Sequence, residues 1–389
     1  MRFLHLADLH LGFPLREDES KFDFFKSLNF VVEKAKEYEV DVVLIAGDVF
    51  HERSPNAKFQ SVFSSFVRNL MVNKIPVLII TGNHEGPSFR GKNIHLDVYD
   101  NLKLPSVYVS KISEVVSIKG ANFITLPYPF KLNFIAKEEN RNREESEVLN
   151  LMNRRLLDVL EEKLSDIGDG NLNVLVGHIP VSEGEVGFER YINITSEIPL
   201  SIEELDRVNI SYFALGHLHK HQIIRSKKYG HVFVYPGSLD RLDFGDEDDE
   251  KGFYFVEVEP SKEPHIEFIK NPFVREFYTI EIQNENSFKS VDMEKVKRSI
   301  TRLLIKGDLF EEHMLSKFIE IVKKEAYSFA YVDDRREGNI PIRDFVSKAI
   351  NPIESLIEYI DKSPNEDIKK LKNKIIEEAK SIFEEINEA

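Results

Sequence analysis

Five short polar segments hold most of the residues in this chain that could do chemistry, and each follows an apolar run. Asp8-Leu9-His10 comes first, then Gly47-Asp48, then Gly82-Asn83-His84-Glu85. Gly177-His178 and Gly216-His217-Leu218-His219 complete the series. Their donors are carboxylate, amide oxygen and imidazole. Such a nitrogen–oxygen set suits manganese, iron or zinc better than calcium, which prefers oxygen alone. The candidate ligands Asp8, His10, Asp48, Asn83, His178, His217 and His219 are too many for one ion. They suit two ions sharing a bridging carboxylate, the arrangement that activates water and clamps phosphate oxygens in phosphoester hydrolysis.

Taken singly, each residue has a plainer role. An Asp or Asn after a strand is commonly a turn former, and a lone His is more often a surface or satisfied core residue. Five of the 12 histidines nevertheless fall in these motifs, each beside a Gly or a short polar turn. Their joint occurrence favours a metal site. Cysteine is absent, which removes thiolate ligands, cysteine nucleophiles and disulfides together. A cytoplasmic, reducing setting is the expectation. Nothing at the N-terminus resembles a long apolar leader, and no run approaches the roughly 18 apolar residues of a membrane span.

The motifs need a frame, and the apolar runs supply it. Strands are predicted at Arg2–Ala7, Asp41–Ala46, Pro76–Ile80, Asn122–Leu126, Asn173–Val176, Tyr212–Leu215, Val232–Tyr235 and Gly252–Glu257, where Val, Ile, Leu and Phe crowd between Gly, Pro or Asn. Helical periodicity separates several of them at Phe22–Tyr38, Ala57–Met71 and Glu147–Leu164. Such alternation predicts a layered α/β domain, and the C-terminal ends of its strands are where it presents a site. Beyond Asn271-Pro272 a small α+β module is expected, with a strand at Phe277–Ile282, a helix at Val291–Leu304 and a strand at Lys317–Val322. A charged linker follows at Asp333–Asn339. Two helices, Pro352–Asp361 and Pro364–Glu388, close the chain behind repeated capping signals. The second carries an apolar stripe through Leu371, Ile375 and Ile382, which either packs on the chain's own body or docks a partner.

The formal net charge is −15, which argues against a general polyanion binder. Contact with DNA would have to be local, through metal ions or a few basic residues. Arg53 and Lys58 after the second motif, and Arg90 and Lys92 after the third, are the candidates. The stretch Gly86–Asn93 also matches a phosphate-binding loop up to its last position, where Ser or Thr should ligate magnesium. It follows the third motif rather than a strand, so nucleotide binding is not expected there.

The ordered series of five motifs resembles the calcineurin-like metallophosphoesterase superfamily over residues 1–260. Within it the chain resembles the SbcD family of DNA exonuclease subunits. Leu6-Ala7-Asp8-Leu9-His10-Leu11-Gly12 and Ala46-Gly47-Asp48-Val49-Phe50-His51 carry that closer likeness, with Tyr235-Pro236-Gly237-Ser238, Asp243-Phe244-Gly245 and Glu250-Lys251-Gly252. Glu85 is a departure, because this family more often has Asp there; little consequence is expected. The resemblance implies a layered β-sandwich flanked by helices over residues 1–270. It also implies a capping domain along the DNA path at 271–345 and a C-terminal helix-turn-helix at 346–389.

By the same resemblance, Asp8, His10 and His219 would hold one metal and Asp48 would bridge to a second, completed by Asn83, His178 and His217. His84 would protonate the leaving 3′ oxygen and His51 would touch the scissile phosphate. Phosphoprotein phosphatases of the superfamily carry Gly-Asp-x-x-Asp-Arg where this chain has Gly47-Asp48-Val49-Phe50-His51-Glu52-Arg53. That difference favours a nuclease. The implied activity uses two manganese ions, with magnesium a poorer substitute: 3′-to-5′ exonuclease action on duplex ends and endonuclease action on single-stranded or hairpin DNA in break repair. The implied partners are a coiled-coil ABC ATPase of the SbcC type, docked by Leu371, Ile375, Ile382 and Phe383, and a second copy of the chain. Apolar faces of Ala57–Met71 and Asn93–Leu104 are candidates for the self-contact. The alternative is a stand-alone phosphodiesterase or phosphatase on small molecules, which would share the site without needing anything after residue 271.

Overall fold

A computed structural model describes residues 1–13, 17–86, 94–130, 145–167, 172–185, 200–260, 262–336, 360, 371–377 and 379. The chain divides into two compact units, Met1–Phe277 and Tyr278–Ala389. The division falls a few residues past the expected boundary at 270.

The first unit is built on two six-stranded sheets. One contains β1 (Arg2–Leu6), β2 (Val42–Ala46), β3 (Val77–Ile80), β4 (Val107–Ser110), β11 (Gly252–Glu257) and β12 (His265–Lys270), in the order β12-β11-β1-β2-β3-β4. The other contains β5 (Val115–Ile118), β6 (Ala121–Leu126), β7 (Leu172–His178), β8 (Tyr212–Gly216), β9 (Gln222–Arg225) and β10 (Val232–Tyr235), in the order β5-β6-β7-β8-β10-β9. Strands β1 to β4 run parallel, as do β6, β7, β8 and β10. Antiparallel strands occupy the flanks.

Alternation along β1 shows how the layers form. Leu4 and Leu6 join one apolar cluster and Phe3 another, because successive side chains point to opposite faces of a strand. The cluster between the sheets takes Phe3, Leu44 and Ile80 from one and Phe123, Val174 and Tyr212 from the other. Helices α1 (Glu17–Glu37), α2 (Ala57–Val72) and α3 (Asp97–Asn101) belong to the β1–β4 half, and Phe24, Leu28 and Phe63 pack with Leu4 and Ile45. On the other half, α4 (Glu145–Ser165) and α5 (Ile202–Leu205) bring Leu160 and Leu205 against Leu175 and Phe233. The result is the expected α/β sandwich with helices outside. Phe63 is fully buried against Phe50, Phe66 and Tyr99, and its truncation to alanine would cost about 3–5 kcal/mol.

Helix α2 starts cleanly, with the Asn56 side chain accepting from the Lys58 N–H at 2.9 Å. Its apolar face, Phe59, Val62, Phe63, Phe66, Val67 and Leu70, is buried in this unit's own core. By contrast, Val98 on α3 and Leu102 at its C-terminal cap are 55% and 60% exposed.

The second unit holds a three-stranded sheet in the order β13-β14-β15, from β13 (Glu276–Asn284), β14 (Ser299–Leu309) and β15 (Ser328–Asp334). Helices α6 (Glu285–Lys289), α7 (Met293–Arg298) and α8 (Glu312–Glu325) accompany it. Ile280, Ile282, Leu303, Ile305, Leu315, Phe318 and Val322 form its core. Three expectations are corrected here. The helix predicted over Val291–Leu304 ends at Arg298, since Val296 is its one buried residue and Ile300 to Ile305 fill the middle strand. The strand predicted at Lys317–Val322 is part of α8, whose buried Leu315, Phe318 and Val322 follow helical spacing. The predicted linker begins too early, because β15 runs to Asp334.

Leu371 and Ile375 lie in a helical turn, with the Ile375 N–H donating to the Leu371 carbonyl at 3.0 Å. Leu371 is 52% exposed. Ile382, Phe383, Arg90 and Lys92, and most of the predicted C-terminal helix pair, lie outside the described residues. Among the described residues no helix is long and apolar enough to cross a membrane.

Candidate metal centre

The parallel strands of both sheets deliver their C-terminal ends to one place. Asp8 and His10 follow β1, Asp48 follows β2, and Asn83 and His84 follow β3. His178 ends β7, and His217 and His219 follow β8. The loops are laced together by the backbone: Asp8 N–H donates to Gly47 O at 3.1 Å, and His10 N–H to Asp48 O at 3.0 Å. The His217 N–H meets both Asp8 carboxylate oxygens, at 3.1 and 3.0 Å. The His84 N–H donates to Asp48 Oδ1 at 2.8 Å.

Such a tight junction constrains the backbone. Asp8, His10, Asp48 and His217 all take positive φ, at 50°, 41°, 52° and 96°. Non-glycine residues avoid this region, and strain of about 1–3 kcal/mol per residue is typical of functional sites. Gly47 has φ +92°, and a Cβ there would lie 2.1 Å from His178 Nδ1. A Cβ on Gly82 would lie 2.2 Å from Asp48 Oδ1. Gly47 is required by conformation and crowding together, and Gly82 by crowding.

Three groups of side chains could each surround an ion: Asp8 with His10 and His219, Asp8 with Asp48 and His178, and His10 with His51 and His84. Within the first, the Nε2 atoms of His10 and His219 face each other at 3.1 Å. Beside the second, Asn83 Oδ1 lies 2.9 Å from His178 Nε2 and 3.1 Å from His217 Nδ1. All seven sequence-predicted ligands are therefore brought together. The fit to cations rests on donor chemistry. Lone-pair atoms converge from two sheets, with His10 Nε2 3.1 Å from His219 Nε2 and 3.6 Å from Asp48 Oδ2. The His178 Nδ1–H donates to the Ala46 carbonyl at 2.7 Å, which turns Nε2 toward Asn83 and Asp48.

Charge is distributed unevenly. Burial would raise Asp48, but the facing His178 and then His10 hold it well below the usual carboxylate range. Burial opposes charge on His178, yet Asp48 and Asp8 push it up to about 10. Burial raises Asp8 and lowers His10. Without a metal, a proton on His178 thus partly neutralises the carboxylates, as a cation would. His51 falls to about 4 through burial and the neighbouring His84. His84 places its Nδ1–H 2.6 Å from the His51 carbonyl, which leaves Nε2 as the atom to exchange a proton with a bound molecule.

Two residues had no role assigned from sequence. Glu85 is buried, and its carboxylate accepts from the N–H groups of Gly82 at 2.7 Å, Val49 at 2.8 Å, Asp48 at 3.2 Å and Phe50 at 3.4 Å. It pins the loop carrying Asp48 to the loop carrying Asn83. Tyr128, after β6, lies with its ring centroid 5.7 Å from that of His217 and 6.2 Å from that of His178. Its position at the end of a parallel strand was the available signal. Arg53 is exposed, and its guanidine stem lies across Gly86, where a Cβ would come within 2.7 Å of Nε. Lys58 is half-exposed in the first turn of α2.

Among solved structures, a dimetal phosphatase from Danio rerio is similar at 11% identity and a TM-score of 0.40, over 69% of this chain and 98% of its own. The two overlapping ligand clusters support a centre for two metal ions. A metal-dependent phosphoester hydrolase needs such a centre, and the calcineurin-like phosphoesterase family matches residues 1–221, more than half of the sequence, so the chain belongs to that family.

Proposed function

We propose that this phosphoester hydrolase is a manganese-dependent DNA nuclease of the SbcD type. The observation that carries the reading is the histidine group His10, His51 and His84, whose last two members are part exposed beside the ligand clusters. Asp8, His10 and His219 would hold one ion, Asp48 would bridge, and Asn83, His178 and His217 would hold the other. Two bound ions would supply polarisation of the phosphate and activation of water. His84, oriented by the His51 carbonyl, then gives a proton to the departing 3′ oxygen. His51 contacts the phosphate, and exposed Arg53, with Lys58, offers positive charge to a neighbouring backbone phosphate. That local arrangement reconciles DNA with a net charge of −15.

Val98 and Leu102 support a self-contact on α3 rather than on α2, whose apolar face is spent on its own core. Residues 346–389 are proposed to dock a coiled-coil ATPase of the SbcC type. Deleting them should abolish co-purification with that subunit while single-strand cleavage survives, because no candidate ligand lies beyond His219. The function itself is tested by comparing manganese-dependent degradation of labelled duplex and single-stranded DNA with hydrolysis of a generic small phosphodiester. Intact DNA alongside a cleaved small ester would replace the nuclease reading with a small-molecule phosphodiesterase.

A further inference from the structure

Two late segments hold no candidate ligand, yet both close on the backbone of one that is. The Lys251 side chain is 1% exposed, and its ammonium lies 3.0 Å from the His219 carbonyl oxygen, 3.3 Å from Asp246 Oδ2 and 3.7 Å from Asp249 Oδ2. Lysine is almost never fully buried unless its charge is paired. Its ammonium donates to the main chain of His219, and the two carboxylates lie within ion-pair distance around it. Ser238 closes the same carbonyl from another side, donating its N–H at 3.1 Å. Gly237 lets the chain approach that closely: its φ is +73°, and a Cβ would lie 2.5 Å from the same oxygen.

The counter-charges are themselves held. Asp246 Oδ2 accepts from the Leu242 N–H at 3.0 Å. The Arg241 guanidinium donates to the Asp246 and Asp249 carbonyls, each at 3.0 Å. Beyond the pinned peptide, the His219 imidazole reaches His10 at 3.1 Å. His178 is tied differently, by its own bond to Ala46.

We propose that Lys251 is a positioning residue: its ammonium, counter-charged by Asp246 and Asp249, fixes the His219 peptide so that the imidazole meets Asp8 and His10 around one ion. The inference rests on the two-metal reading and predicts a one-sided effect. Manganese binding to the full-length chain, stripped of metal beforehand, is measured by titration calorimetry, with metal-free urea unfolding in parallel. Lys251→Met combined with Asp246→Asn removes the buried ion pair together, so neither charge is stranded. One ion should bind with parental affinity and the other about 10–100-fold more weakly, the usual size of an effect on a ligand's supporting contact. If the double variant does not fold, Asp249→Asn decides alone. Its side chain is 24% exposed, and a several-fold weakening confined to one ion supports the role. Parental affinity for both ions in a folded variant overturns the inference, as does equal weakening of both. A parent chain that takes up no manganese overturns the two-metal reading and the inference with it.

Discussion

Replacing Glu85 by alanine should loosen the metal centre without removing a ligand. The two short contacts, from Gly82 at 2.7 Å and Val49 at 2.8 Å, count in full, and those from Asp48 and Phe50 are weaker. A buried amide left without an acceptor costs about 1–3 kcal/mol, so two cost about 2–6 kcal/mol. An opposing effect depends on pH. Burial and then Asp48 push the Glu85 carboxyl up to about 7 from its ordinary 4.5. Because the folded value lies above the unfolded one, the parent loses stability as pH rises from 4.5 through 7, and the alanine variant lacks that loss. At about 1.4 kcal/mol per pH unit, the parent's penalty reaches roughly 3 kcal/mol above pH 7. Glu85→Ala should therefore lose about 1–5 kcal/mol near pH 5, whereas at pH 8 its stability should lie between a loss of about 3 and a gain of about 1 kcal/mol. Urea unfolding of metal-free protein at both pH values measures this. Glu85→Asp keeps the charge but is one methylene short of bridging both loops, and should lie between parent and alanine. A variant as stable as the parent at pH 5, or one that loses more at pH 8, would refute the pinning role.

Asp8→Ala or His217→Ala should lose bound metal and phosphoester hydrolysis together, checked by elemental analysis beside an activity assay; both retained would remove that residue from the ligand set. His84→Ser should keep metal and DNA binding while turnover falls about 10²–10⁴-fold, and lost metal would make His84 a ligand instead. Burial notwithstanding, Asp48 and Asp8 keep His178 protonated at neutral pH, so manganese loading should release about one proton from it. Calorimetry at pH 7 in buffers of different ionisation enthalpy would show it, and a buffer-independent heat would contradict it.

The site was legible in the sequence because parallel strands end in abrupt polar turns, and glycine marks where backbone must pass close to a ligand. Gly47 and Gly82 are such marks, each pressed against a ligand side chain. Glu85 was less legible: a carboxylate beside a ligand motif says nothing of three amides drawn from the distant loop after β2. Strands β4, β5, β9 and β12 escaped notice because they are short or half-exposed, and their pairing comes from neighbours rather than from a continuous apolar run. The segment Lys317–Val322 reads as a strand because Phe, Ile and Val crowd its six residues, and only the longer spacing of Leu315, Phe318 and Val322 reveals the helix.

The placement of ligands on both sheets sets the timing of assembly. Asp8 emerges early in synthesis, but His217 and His219 lie on the far layer, and β1 finds its antiparallel neighbour only when Arg2 meets Glu257. At about 5–20 residues per second, the ribosome takes roughly 10–40 s to carry the chain from Asp8 to His219. A nascent chain therefore holds half a cage for most of that interval. Unlike the single short module of a zinc finger, the full set of candidate ligands exists only once the two layers have docked.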